Sequence, residues 1–248
     1  KMLRILGVDN EHTNQGWLCD RGRYNFEYLN SEYRIKSPLK KTEIQHEETT
    51  FQDIYSDLSK IIQDKSSKVS FLLGSNLTNE DFTSFKEFHK KLGNQDNSIY
   101  LNEDLFYKGF FDENIENAKI DDLNSSDVII IWAEDLKETL PVLYLRVRQA
   151  VKNGVKLIVF GHANSTLSDI ADVYYSGEIV SNNFEIAKDV SKLKEVEEFI
   201  KDKNVTAILG KSSPNQSDHS LEELFTYLKE NSNLKLFNAF NGGNSFGA

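Results

Sequence analysis

The chain has 248 residues, room for one large domain or a medium domain with part of another. Apolar residues make up 39% and charged residues 27%, an ordinary globular balance that excludes a fibrous or disordered chain. With 29 Lys and Arg against 39 Asp and Glu, the net charge of −10 argues against a nucleic-acid partner, which needs a basic footprint.

In chain order, Lys1 leads into an apolar stretch, Met2-Leu3-Arg4-Ile5-Leu6-Gly7-Val8, that reads as a short strand. A loop rich in Asn, Gly and Asp follows over residues 9–20, then an aromatic stretch, Tyr24-Asn25-Phe26-Glu27-Tyr28. Residues 40–50 are polar and charged. They read as a linker or an exposed hairpin, and a domain boundary is expected there. From residue 51, strands alternate with helices. Thr50 with Asp53 has the spacing of a capping box and opens a helix over 51–63. Residues 69–74 predict a short buried strand. Thr78 with Asp81 is a second cap, for a helix with Phe82, Phe85 and Leu92 on one face. Residues 127–133 are almost continuously apolar, which suits a strand buried on both faces of a parallel sheet.

Pro141 starts the next helix, where its missing N–H costs nothing. Leu140, Leu143, Tyr144, Val147 and Val151 form its buried stripe. Arg146, Arg148 and Lys152 are expected to face out, and Gly154 ends the helix. Residues 155–161 give another buried strand, completing a strand–helix–strand unit with a right-handed crossover. A helix over 188–203 and a strand over 205–210 follow. Ser220 with Glu223 caps a last helix bearing Leu221, Leu224, Phe225 and Leu228, and 234–239 is the final strand. The expected fold class is α/β, layered, with a mostly parallel sheet.

The longest apolar runs are strand length, so no direct membrane insertion is expected. No signal-peptide pattern is visible. The single cysteine forms no internal disulfide and fits a reducing cytoplasm. An apolar beginning without an initial Met and an end rich in Gly and Asn, Asn241 to Ala248, suggest an internal fragment of a longer polypeptide.

The strongest local feature is Asn14-Gln15-Gly16-Trp17-Leu18-Cys19-Asp20-Arg21-Gly22-Arg23. A free cysteine is ordinarily an inert, small apolar side chain. Cys19 is instead bracketed by glycines and charges. Arg21 and Arg23 would favour its thiolate, the form that binds metal. Gly22 would let the backbone approach the sulfur and direct N–H groups at it, which raises the reduction potential of a cluster.

That stretch, with the aromatics after it and Ser31-Glu32-Tyr33-Arg34-Ile35-Lys36-Ser37-Pro38-Leu39, resembles the end of the iron–sulfur domain of the molybdopterin oxidoreductase superfamily. The family pattern is Asn-x-Gly-x-x-Cys-x-Lys/Arg-Gly-Arg, then aromatics, then Ser-x-x-Arg-Leu-x-x-Pro-Leu. Within the superfamily, the Cys-Asp-Arg-Gly-Arg form is most similar to the large iron–sulfur subunits (G-type) of bacterial NADH–quinone oxidoreductases. The resemblance continues through Thr50-Phe51-Gln52-Asp53, where the family has Ser-Trp-Asp-Glu, and through Asn79-Glu80-Asp81. It extends to the 127–133 strand, the Pro141 helix and the closing Gly243-Asn244-Ser245-Phe246-Gly247-Ala248.

The resemblance implies that residues 1–39 are the tail of a [4Fe–4S] domain. Residues 40–50 would be a linker, and 51–248 an incomplete molybdopterin-oxidoreductase-like α/β domain. Cys19 would be the fourth cluster ligand, with the other three in an upstream Cys-x-x-Cys-x-x-x-Cys run that this chain lacks. Arg21 would be the basic residue beside the cluster. The implied role is electron transfer among the subunits of a membrane-associated respiratory complex, on the cytoplasmic side and peripheral to the membrane. A formate dehydrogenase-like enzyme using molybdopterin, and a structural α/β module without redox chemistry, are the alternatives.

Other signals are weaker. Gly210-Lys211-Ser212-Ser213 is similar to the tail of a phosphate loop, but Val205 stands where the pattern needs Gly. Gly74-Ser75-Asn76 follows a strand and reads mainly as a turn. His12, His46, His89, His162 and His219 show no metal-ligand spacing, although His12 is close enough to Cys19 for a supporting role. No Gly-x-Gly-x-x-Gly supports NADH binding here. Asp112-Glu113 and Glu195-Val196-Glu197-Glu198 read as solvated faces.

Overall fold

A computed structural model describes residues 1–11, 14–64, 69–74, 76–92, 98–101, 115–132, 135–161, 165–176, 190–209 and 226–239. The chain forms two units. One includes Lys1–Leu6 and Asp20–Glu103, the other Gly7–Cys19 and Asp104–Asn241.

The first unit begins with two short helices, α1 (Asp20–Tyr24) and α2 (Glu27–Asn30). Met2 is not in a strand, contrary to the expectation for residues 2–8. Its N–H donates to Asn30 Oδ1 at 2.9 Å, and its carbonyl accepts from Asn30 Nδ2 at 2.8 Å. One side-chain amide thus meets both polar groups that a neighbouring strand would otherwise satisfy. Strands β1 (Leu39–Lys41) and β2 (His46–Glu48) pair antiparallel and are exposed throughout, so the polar 40–50 segment takes the hairpin form.

Helix α3 (Phe51–Gln63) starts where expected. The Thr50 hydroxyl accepts from the Asp53 N–H at 3.2 Å and donates to the Asp53 carboxylate at 2.6 Å. Strand β3 (Ser70–Leu73) leads to α4 (Asn79–Leu92), capped reciprocally by Thr78 and Asp81, and then to β4 (Ser98–Leu101), parallel to β3. Phe71 on β3 meets Phe85 of α4 edge-on at 5.2 Å. The alternate residue Leu72 points away and is 69% exposed, so β3 is not the buried strand the sequence suggested. Apolar composition calls for cover on both faces, and the described residues leave Leu72 uncovered.

The second unit contains β5 (Glu116–Asn117), α5 (Asp122–Ser125), β6 (Val128–Trp132), α6 (Leu136–Thr139) and α7 (Pro141–Lys152). It continues through β7 (Lys156–Gly161), β8 (Val173–Ser176), α8 (Val190–Ile200), β9 (Asn204–Leu209) and β10 (Asn233–Asn238). The six strands form one sheet in the order β5-β10-β9-β6-β7-β8, and each neighbouring pair is parallel. From β6 the chain winds outward through β7 and β8. It then returns to the other side of β6 with β9 and β10, so the winding reverses between β6 and β9.

Each sheet face carries its own core, which is why β6 is apolar without alternation. Val128, Ile130 and Trp132 pack with Ile158, Phe160, Val196 and Ile200 on one face. Ile129 and Ile131 pack with Leu157, Val159, Leu143 and Val147 on the other. Burying such side chains contributes about 1.5–3 kcal/mol each. Trp132, Phe160 and Tyr175 form a ring ladder across β6, β7 and β8, with centroids 5.3 Å and 5.1 Å apart.

Helix α7 has Pro141 in its first turn and buries Leu143, Val147 and Ala150. It ends at Gly154, whose φ of +102° suits glycine alone among common residues. Two of its basic residues do not simply face water: Arg146 lies over the Trp17 ring, and Arg148 over Tyr144. At the start of the sheet, the Asp172 carboxylate accepts from the Leu157 N–H at 3.0 Å and from Lys156 Nζ at 2.6 Å. Burial alone would raise this carboxyl, but those two donors outweigh it and hold it below 3.8, the ordinary value. Ser220, Leu221, Glu223, Leu224 and Phe225 lie outside the described residues, while Leu228 is buried. No described helix is long and apolar enough to cross a membrane.

Candidate functional site

The loop that carries Cys19 is organised from within by Asn14. Its Oδ1 accepts from the N–H groups of Asn10 (3.1 Å) and Gly16 (3.0 Å), and its Nδ2 donates to the Val8 carbonyl at 2.8 Å. Gln15 and Gly16 both have positive φ, +50° and +76°, so the chain turns left-handed here. Glycine relieves the second of these positions. The turn brings Gly16 against Gly7: a Cβ on Gly7 would lie 3.3 Å from the Gly16 carbonyl oxygen.

Within its own unit, the loop meets residues beside α5 and on α7. Gln15 Nε2 donates to Asp121 Oδ1 at 2.5 Å. The Arg146 guanidinium carbon sits 5.4 Å from the Trp17 ring centroid, a cation–π stack. Cys19, two residues further on, is half-buried. The chain then enters α1, where Arg21 is exposed and Gly22 is partly buried within the helix. Cys19 thus closes a segment of one unit, and Arg21 and Gly22 open a segment of the other.

Among the described residues, no group of three or more His, Cys, Asp or Glu side chains is placed to hold a metal ion. A [4Fe–4S] cube needs four thiolates, and this chain has one cysteine. These residues alone therefore do not fit the cluster. Of the histidines, His89 packs its ring against Phe71 and Phe85. His12, His162 and His219 lie outside the described residues, as do Gly210 to Ser213, Asp112 and Glu113. In the run at 195–198, Val196 is core and Glu195 accepts from the Tyr175 hydroxyl at 2.8 Å, so it is only partly a solvated face. At Gly74 a Cβ would meet nothing within 4 Å, as expected of a plain turn, and Ser75 is outside the described residues. The loop over residues 9–20 was legible in the sequence, but the left-handed turn at Gln15 and Gly16 was not. The partners Asp121 and Arg146 had no local signal.

Residues 34–235 match the model of the family described as Molybdopterin oxidoreductase. The chain belongs to the molybdopterin oxidoreductase family. Its relatives include the NADH-ubiquinone oxidoreductase 75 kDa subunit of Reclinomonas americana, 23% identical over 98% of this chain and 37% of that protein. The F420-dependent formate dehydrogenase subunit alpha of Methanocaldococcus jannaschii is 25% identical over 69% of this chain and 27% of that protein. The NADH-ubiquinone oxidoreductase 75 kDa subunit of Dictyostelium discoideum is 25% identical over 60% of this chain and 22% of that protein. The match therefore spans between 22% and 37% of the length of these curated relatives. Among solved structures, acetylene hydratase from Pelobacter acetylenicus aligns with a TM-score of 0.45 and 14% identity, covering 67% of this chain and 25% of that one.

Proposed function

We propose that this chain is part of an electron-transfer subunit of an NADH–quinone oxidoreductase. Cys19 would be one thiolate of a [4Fe–4S] cluster whose other three ligands come from outside these 248 residues. Arg21 and Gly22 would flank the cluster as charge and close backbone. Residues 1–39 would complete the cluster domain. Residues 40–50 would link it to the α/β region over 51–248, a scaffold that docks neighbouring subunits. The partners would be the other subunits of a membrane-associated respiratory complex, on its cytoplasmic side. No side chain is assigned acid–base chemistry.

One observation carries this reading. The match to the Reclinomonas 75 kDa subunit runs over 98% of the chain and so takes in the Cys19 loop, whereas the formate dehydrogenase match covers 69%. The formate dehydrogenase likeness itself favours a second reading, a catalytic subunit that uses molybdopterin.

Metal and sulfide analysis of the intact gene product separates them. Iron and acid-labile sulfide without molybdenum support the electron-transfer subunit. Molybdenum in proportion to protein supports the catalytic one. Neither metal nor sulfide would leave a structural α/β module.

A further inference from the structure

The chain has two Asn-Gly pairs, Asn153-Gly154 and Asn241-Gly242, and the second lies outside the described residues. We propose that Asn153 is a latent deamidation site, held closed by the end of α7 and opened when that end frays. An asparagine before glycine is the side-chain amide most prone to this reaction, because no Cβ on the following residue hinders ring closure. Hydroxide removes the proton of the Gly154 N–H, and the nitrogen attacks Asn153 Cγ. The new N–Cγ bond closes a five-membered succinimide, while Nδ2 takes a proton from water and departs as ammonia. Water then opens the imide at either carbonyl. An aspartyl or an isoaspartyl residue is left at position 153, and no oxidant or reductant is involved.

Asn153 is exposed, so water and hydroxide reach it freely, and the restraint on the reaction is the hydrogen bonding of the helix end. The Gly154 N–H donates to the Val151 carbonyl at 2.9 Å and the Val155 N–H to the Ala150 carbonyl at 3.1 Å, the paired bonds of a Schellman ending. The attacking nitrogen is thereby engaged. Asn153 Oδ1 accepts from Gln149 Nε2 at 3.0 Å, which draws the side-chain amide back along the helix. Helix ends are among the first parts of a fold to open. The product does not close as the asparagine did. A new carboxylate lies at the negative end of the α7 dipole. An isoaspartyl link also lengthens the main chain by one carbon between Ala150 and Val155, which puts the paired bonds out of register. Each opening that reacts therefore weakens the next closing, just ahead of the buried Val155 and β7.

Base-catalysed hydrogen exchange at Gly154 and succinimide formation share one requirement, a freed and deprotonated Gly154 nitrogen. Folding should slow both by the same factor. The intact gene product is kept at mildly alkaline pH, with and without a denaturing concentration of urea, and then digested. Mass spectrometry reads conversion of amide to acid at Asn153 separately from that at Asn241. A synthetic peptide over residues 148–159 in the same two solutions gives the rate of the chemistry alone. Relative to that peptide, Asn153 in the folded protein should deamidate at least about tenfold more slowly, as expected for two hydrogen bonds of this kind. In urea it should match the peptide. The slowing should equal the protection of the Gly154 N–H from exchange within about threefold. Asn153→Asp should quicken exchange at Gly154 and Val155 and leave β9 unchanged.

Deamidation of the folded protein as fast as that of the peptide overturns the proposal, since the helix end then holds nothing closed. So does a folded protein slowed far less than the Gly154 N–H is protected, because the reaction would then proceed without opening the cap. Failure of Asn153 to convert in urea overturns it too, as does unchanged exchange in Asn153→Asp.

Discussion

The hydroxyls of Ser126 and Thr206 lie 2.7 Å apart inside the second unit, joining the entrance of β6 to β9. Ser126 Oγ also donates to the Asp122 carbonyl at 2.7 Å. Its one proton is thereby used, so Thr206 must be the donor in the hydroxyl pair. The order matters, because removing an acceptor strands a buried donor, while removing the donor leaves Ser126 satisfied.

Ser126→Ala should therefore destabilise more than Thr206→Val. The first leaves the Thr206 hydroxyl, 1% exposed, without its acceptor, at about 1–3 kcal/mol. The second loses one net hydrogen bond, about 0.5–1.5 kcal/mol. Urea unfolding of the two variants checks the ranking, and the reverse order would mean that the donor assignment is wrong.

Ile131→Ala empties a site with 0% exposure in the centre of the sheet and should cost about 2–5 kcal/mol. Leu72→Ala, on the uncovered face of β3, should change stability by less than about 0.5 kcal/mol. Denaturant midpoints for both variants test whether burial, and not apolar composition, sets the cost.

The Asp172 carboxyl sits below its ordinary value because its bonds to Lys156 and the Leu157 N–H outweigh burial. Asp122 behaves alike: burial raises it, and the Lys119 N–H and Lys235 outweigh that effect. A carboxyl lowered in the folded state stabilises the fold above its unfolded value and loses that contribution as acid protonates it. Stability should thus be full above the ordinary value of 3.8 and decline as pH falls below it. In unfolding followed between about pH 6 and pH 2, Asp172→Asn should show a shallower acid decline than the unaltered chain. Equal slopes would mean that Asp172 does not contribute to the acid decline.

Thr78→Ala removes the hydroxyl that accepts from the Asp81 N–H at 3.2 Å. The start of α4 should lose about 1 kcal/mol. Hydrogen exchange at residues 79–83 should quicken, and exchange in β9 should not change.

Much of the second unit was legible in the sequence. Residues 128–132 are apolar on both faces because both are covered, and Pro141 and Gly154 bracket α7 by backbone chemistry that needs no tertiary context. The first unit was less legible. Apolar composition at Met2 to Val8 and at Leu72 looks the same whether or not a covering layer is present, and burial is a property of the partner. At the candidate site, the 9–20 loop and Cys19 were visible as local pattern. The contacts that hold them, Gln15 with Asp121 and Trp17 with Arg146, join residues far apart in the chain and left no mark in spacing.

The proposed role turns on the Cys19 sulfur. Iron and acid-labile sulfide per protein, measured on the intact gene product with and without Cys19→Ser, test it most directly. The variant should lose the iron and sulfide of one [4Fe–4S] cluster while its parallel-sheet unit stays folded. Iron and sulfide unchanged by the substitution would contradict it.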